Sequence, residues 1–224
     1  FTGSNFYYGT TVSNPRFIDV KTSSDFIGIH FIAATTFLID HSSLEGIWGI
    51  KIENLLNPDS GDSFISNSTL TGQSATTTIG GAMLYTSGGG LKVVNNKFLY
   101  GKYHVYFDWS IGTSANILFS NNSFETTQET SIYATGNTPL ARLDFTNNTW
   151  NLKGNVFMVD ASPPSGFYLD MLTFTGNSIE ACVDSGGTCG GSSSRAGIDL
   201  GAVHHAHISD NVINMHSELT ANTI

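Results

Sequence analysis

Five short segments of this chain superimpose residue by residue: LKVVNNKF (91–98), ILFSNNSF (117–124), LDFTNNTW (143–150), LTFTGNSI (172–179) and AHISDNVI (206–213). Each contains an Asn-Asn, Gly-Asn or Asp-Asn pair whose second member, Asn96, Asn122, Asn148, Asn177 or Asn211, serves as an anchor. Three residues before each anchor stands Val93, Phe119, Phe145, Phe174 or Ile208, and two after it Phe98, Phe124, Trp150, Ile179 or Ile213. Successive anchors lie 26, 26, 29 and 34 residues apart. A unit of this length built from alternating apolar residues buries them only by stacking on its neighbours, which is how a solenoid works. Leucine-rich repeats share the period but need a Leu framework that is absent here.

Each anchor segment follows another short apolar run: AMLY (82–85), HVYF (104–107), SIYA (131–134), NVFMV (155–159) or AGIDL (196–200). Every coil therefore supplies strands to several sheets, and long helical periodicity is lacking. Asparagine suits the anchor because it tolerates the left-handed backbone region and its amide can bond neighbouring backbone or the next Asn. The spacing predicts an Asn ladder through the five anchors, and an internal stack of Phe98, Phe124, Trp150, Ile179 and Ile213.

Over residues 82–215 this pattern resembles the right-handed parallel β-helices of the pectate-lyase-like superfamily. The resemblance implies an all-β fold, a right-handed parallel β-helix (solenoid) of about eight coils and on the order of 40 Å in length. Residues 1–224 then form a single β-helix domain, with less regular coils at 1–81 and regular Asn-anchored coils at 82–215. Within the former, FIGIHFI (26–32), TTFLID (35–40) and IWGIKIENLL (47–56) read as strands, and FISNST (64–69) offers an earlier anchor at Asn67. Asn54 and Asn67 are 13 residues apart and cannot both anchor full coils. Neither FTGSNFYY nor SELTANTI resembles an amphipathic cap, so the chain is expected to be a fragment of a longer one.

Charged residues make up 12% of the chain, about half the usual share of roughly 25%. With 40% hydrophobic residues and a net charge of −9, the chain is neither a disordered polyelectrolyte nor a basic nucleic-acid binder. No apolar run reaches the roughly 18 residues of a membrane span, so membrane insertion is not expected. Cys182 and Cys189 share the loop CVDSGGTC, where a local disulfide and two free thiols both remain open. The sequons at Asn67, Asn121 and Asn147 recur because the coil recurs, and read as turn residues.

Stacking turns a separation of one coil into about 5 Å, so columns matter more than linear neighbours. Three residues after the anchors stand Leu99, Glu125, Asn151, Glu180 and Asn214; at the ends of the preceding strands stand Thr86, Asp108, Thr135, Asp160 and Asp199. Glycoside hydrolysis uses two carboxyl groups. Asp160 with Asp199 is the first candidate catalytic pair and Glu125 with Glu180 the second, although each also reads as a turn or surface carboxylate bonding local backbone. Asp108, Trp109 and Tyr133 are candidate substrate-binding residues, beside Tyr103, Tyr106 and Tyr168, whose rings could stack on sugar faces or on one another. The HHAH run at 204–207 has no Cys, Asp or Glu at clear ligand spacing, though Asp199 and Asp210 are in the vicinity. His204 and His205 are accordingly assigned to substrate contact, and no metal or other cofactor is expected. A calcium-dependent lyase would need clustered carboxylates and a basic residue to take the proton, and Arg16, Arg142 and Arg195 are the only arginines.

Low charge, abundant Ser, Thr, Asn and Gly, Asn-anchored coils and irregular insertions resemble bacteriophage tailspike and tail-fibre proteins. That resemblance implies a parallel homotrimer on the virion tail that binds and hydrolyses a bacterial surface polysaccharide, although no catalytic motif of the family matches. A non-catalytic receptor-binding or adhesin rod is the main alternative. A secreted polysaccharide lyase, hydrolase or epimerase is the third.

Overall fold

The computed structural model describes residues 16–23, 27–32, 36–53, 63–72, 82–86, 90–108, 116–125, 130–135, 140–152, 155–159, 169–182, 198–199 and 203–216. All regular structure among them is strand, and every pairing is parallel between one coil and the next. The chain is a β-solenoid with three sheets.

The first sheet stacks Arg16–Ile18, Leu38–Asp40, Ser63–Ser66, Leu91–Val94, Asn116–Ser120, Leu140–Thr146, Leu169–Thr175 and Val203–Ser209. The second stacks Lys21–Ser23, Ser43–Gly46, Thr69–Gly72, Lys97–Leu99, Ser123–Glu125, Thr149–Leu152, Ser178–Cys182 and Val212–His216. The third contains Ile27–Ile32, Trp48–Glu53, Ala82–Thr86, Tyr103–Asp108, Thr130–Thr135, Asn155–Val159 and Ile198–Asp199. Each coil runs from the first sheet through the second to the third.

Alternation along each strand sends every second side chain inward, and the parallel register stacks those side chains in columns. On the first sheet the column is Ile39, Ile65, Val93, Phe119, Phe145 and Phe174, all buried. On the second it is Leu44, Leu70, Phe98, Phe124, Trp150 and Ile179. Phe98 stacks on Phe124 and Phe124 on Trp150, each at 4.8 Å between ring centroids. The expected internal stack is present, except that Ile213, in register with Ile179, is 50% exposed. Its strand is the last of the described second sheet, with no described coil to cover it.

The five anchors form the expected ladder. Asn148 Oδ1 accepts the backbone N–H (2.9 Å) and the side-chain amide (3.0 Å) of Asn122 from the coil before. Its own N–H and amide donate to Asn177 Oδ1, at 2.9 and 3.1 Å, and the amide also donates to the Phe119 carbonyl at 3.1 Å. The same pattern runs from Asn96 to Asn211. The left-handed residue is the one before the anchor: Asn95, Asn121, Asn147, Gly176 and Asp210 all have φ between 55° and 66°. The two roles expected of one asparagine are thus divided between neighbours, because an anchor aimed into the stack must keep ordinary strand-like backbone. Gly176 takes the same left-handed position with φ 66°, and an added Cβ there would press on the Asn147 side-chain amide, which would have to shift.

The less regular coils obey the same template with other residues. Asn67 is in the left-handed position (φ 49°), and Ser68 is the anchor, its N–H donating to Asn96 Oδ1 at 2.9 Å. Ser42 donates its N–H to Ser68 Oγ at 3.0 Å, and Val20 to Ser42 Oγ at 3.2 Å. A serine hydroxyl fills the acceptor role of the Asn amide, so the column continues where the Asn signature stops. Asn54 lies outside the described residues.

Candidate functional site

The third sheet carries a continuous cluster of aromatic side chains on its outer side. One row of the sheet, in register across seven strands, is His30, Lys51, Tyr85, Tyr106, Tyr133, Met158 and Asp199. It alternates with the inward residues Ile29, Ile50, Leu84, Val105 and Ile132; within it Lys51, Tyr106 and Tyr133 are half-buried, while His30 is only 8% exposed. Tyr103, at the start of its strand, joins from the side: its ring is 4.9 Å from Tyr133, stacked, and 5.5 Å from Tyr106, edge-on. Tyr106 and Tyr133 are 5.2 Å apart, and Trp48 meets Tyr106 edge-on at 6.5 Å. Lys102 Nζ sits 5.1 Å above the Tyr103 ring. Trp48, Tyr106 and Tyr133 are half-buried, so each keeps solvent-facing surface.

Charged groups border this face. Glu53 accepts from Lys51 Nζ at 2.8 Å and bonds His30 Nε2 at 2.5 Å. Burial pushes the Glu53 carboxyl up, but hydrogen bonds and charge from Lys51 and His30 outweigh it and leave the group below its ordinary range. Asp108, half-exposed, ends the strand that carries Tyr103 and Tyr106 and pairs with Thr135. Of the sequence candidates, Tyr133 meets Tyr103 and Tyr106, and Asp108 stands two register positions further along the same pair of strands. Trp48, Lys51 and Glu53 belong to the same face and were missed, because the N-terminal coils lack the Asn signature that sets their register. Trp109 and Tyr168 lie outside the described residues.

The strand-end carboxylates do not form one column. Thr86 pairs with Phe107, and Asp199 with Met158, so both are displaced from the row of Asp108 and Thr135. Asp160 lies outside the described residues; Asp199 stands opposite a residue two positions before it. Alignment on the last residue of each strand fails because these strands run into loops of different length. The register is set instead by the core column that Leu84, Val105 and Ile132 share.

Glu125 and Glu180 do share a row of the second sheet, separated by Asn151. Glu125 pairs with Lys97 Nζ at 3.1 Å and accepts from Ser123 Oγ at 3.1 Å. His204 and His205 lie on the first sheet, exposed, beside Asp170. The candidates are thus distributed over three sheets. A shallow open depression of about 330 Å3 at the turn row is lined by Thr146, Asn147, Thr175, Gly176 and Asp210, and contains none of them.

The fold and surface define a parallel β-solenoid with an aromatic outer face. No protein-family model, curated protein or solved structure matches the chain.

Proposed function

We propose that this chain is a stretch of a tailspike-type β-solenoid that binds a bacterial surface polysaccharide along the outer face of its third sheet. One observation carries the reading: Trp48, Tyr106 and Tyr133 form a contiguous, half-buried ring cluster on the outer side of the third sheet, with the buried Tyr103 ring packed against Tyr106 and Tyr133. A sugar offers one face of C–H groups and an edge of hydroxyls. Aromatic faces take the first, and Asp108, Lys51 and Lys102 with neighbouring neutral hydroxyls and amides take the second. The net charge of −9 favours a neutral or weakly charged glycan, since like charge slows encounter with a densely anionic one.

Hydrolysis is the finer part of the same proposal. Glu125 and Glu180, two strands apart in one row, are separated by about 9–10 Å at the usual interstrand spacing. That backbone spacing is at or just beyond the roughly 6.5–9.5 Å that separates two carboxyl groups holding a water, so cleavage by this pair requires Glu125 to leave Lys97 and lean toward Glu180. Asp160 and Asp199 remain the other pair to test. Within this reading the protein is a homotrimer on a virion tail.

The experiment is a binding screen of the protein against purified bacterial O-chain and capsular polysaccharides, followed by calorimetry on the best one. Tyr106→Ala with Tyr133→Ala should weaken binding by about tenfold, the worth of one or two stacked rings. Unchanged affinity in that double variant overturns the aromatic face as the site. Release of oligosaccharide that stops in Glu125→Gln or Asp199→Asn, with binding intact, supports cleavage. Binding without release favours the passive rod, and a monomer in light scattering favours the secreted enzyme.

A further inference from the structure

Outside the aromatic face, one cluster brings together three metal-ligating side chains from two coils. Asp170 lies on the strand Leu169–Thr175, and His204 and His205 on its neighbour Val203–Ser209. Consecutive strand residues ordinarily point to opposite faces. Here they do not, and the strand beneath shows why. Leu169 and Leu172 are both fully buried although three residues apart, so alternation slips between them and both Asp170 and Met171 are left outward. The register transmits the slip to the next coil, where Leu169 pairs with Val203, Met171 with His205 and Leu172 with Ala206. His204 and His205 both turn to the same carboxylate, on the last described strand of the sheet, where residues 204–208 are all exposed.

His204 Nδ1 is 2.9 Å and His205 Nδ1 3.8 Å from the same Oδ1 of Asp170, and the two imidazole rings are 3.9 Å apart. One ligand atom from each of the three residues falls within 4.8 Å of the others. Bonds of about 2.0–2.1 Å to a tetrahedral ion place ligand atoms about 3.3 Å apart, a value the two measured separations bracket.

We infer that Asp170, His204 and His205 form a site for a divalent transition metal of the zinc, cobalt, nickel and copper class. Two imidazoles and one carboxylate suit these borderline ions, whereas calcium takes six or more oxygens and magnesium keeps an octahedral oxygen shell. Three protein ligands leave at least one position for water or a ligand oxygen, and exposure of the trio makes that position accessible. The ion would also clip one coil to the next, because its ligands come from adjacent strands. His207 takes no part, since its Nε2 is engaged with Ser209 Oγ at 3.2 Å. The site stands on a different sheet from the aromatic face and does not depend on glycan binding.

The test uses the chain without a histidine tag, stripped with chelator, in calorimetric titrations with zinc chloride and visible spectra with cobalt chloride. Wild type should bind a single zinc ion saturably and give the absorption of low-symmetry, nitrogen-ligated cobalt. Asp170→Asn and His205→Ala should each weaken zinc binding by on the order of tenfold or more, while His207→Ala leaves it unchanged. All three positions are exposed, so metal-free melting temperatures should stay together and confirm that the variants fold. No saturable binding at millimolar zinc, wild-type affinity in Asp170→Asn or His205→Ala, or an equal loss in His207→Ala would each overturn the assignment.

Discussion

Asn148 shows how much one side chain does here. It is fully buried, yet its amide and backbone N–H all find partners in the coils before and after it. Asn148→Ala would leave the N–H of Asn122 and the carbonyl of Phe119 buried without those bonds, at a cost of about 3 kcal/mol. Asn121, next to an anchor but exposed and left-handed, should behave otherwise: Asn121→Gly within about 0.5 kcal/mol of wild type, Asn121→Val destabilised by about 1–2 kcal/mol. Urea denaturation measures all three, and a smaller loss for Asn148→Ala than for Asn121→Val would contradict the ladder's role. His104 is the other residue whose surroundings decide its chemistry. Burial holds its pKa down to about 4, partly offset by the Glu125 carbonyl. The neutral ring donates from Nε2 to that carbonyl (3.1 Å) and accepts at Nδ1 from Ser131 Oγ (2.9 Å), which in turn accepts from Trp150 Nε1 (3.0 Å). Because the folded pKa lies below the unfolded one of about 6.5, the unfolded chain binds more protons between those values. Stability should therefore be full above pH ~6.5 and fall by on the order of 3 kcal/mol as the pH drops to ~4. Unfolding free energies of wild type and His104→Gln across that window test this, since the variant should lack the slope.

Strands gain most of their hold from columns that cross the sheets. Phe124 lies between Phe98 and Trp150 at 4.8 Å on either side, with no exposed surface. Phe124→Ala should cost about 3–5 kcal/mol, whereas Ile213→Ala, half-exposed in the same column, should cost under about 1 kcal/mol. Equal losses in denaturant would show that the column does not end where the described strands place its end. The regular strands were legible because alternation and the Asn pair recur together. Ser43–Gly46 and Thr69–Gly72 were harder to read because Ser42 and Ser68 replace Asn, and a hydroxyl meets the ladder's need for an acceptor without leaving a distinctive sequence mark. The meeting of Trp48 with Tyr106 and Tyr133 depends on those same registers.

Over the whole molecule each coil touches chiefly its neighbours, so protection against local opening should vary along the stack. Phe119 and Phe124 are fully buried, while Ile208, Val212 and Ile213 at the far end are 43%, 67% and 50% exposed. Hydrogen exchange should accordingly be slower by about tenfold or more in Asn116–Glu125 than in Val203–His216. Uniform protection would mean that another surface covers those end residues in solution.

The sequence by itself determined the solenoid, its parallel stacking, the Asn ladder and the inner aromatic column, because a coil-length repeat of alternating residues has few other ways to bury its apolar side chains. Only the tertiary structure decided which outward groups meet. Loops of unequal length break the correspondence between strand ends, so Asp199 faces Met158 rather than aligning with Asp160. The slipped alternation at Leu169 and Leu172 brings His204 and His205 to Asp170, 34 residues before His204. Periodicity specifies a column only while the period holds; where it slips, packing of the neighbouring core residues sets the contacts.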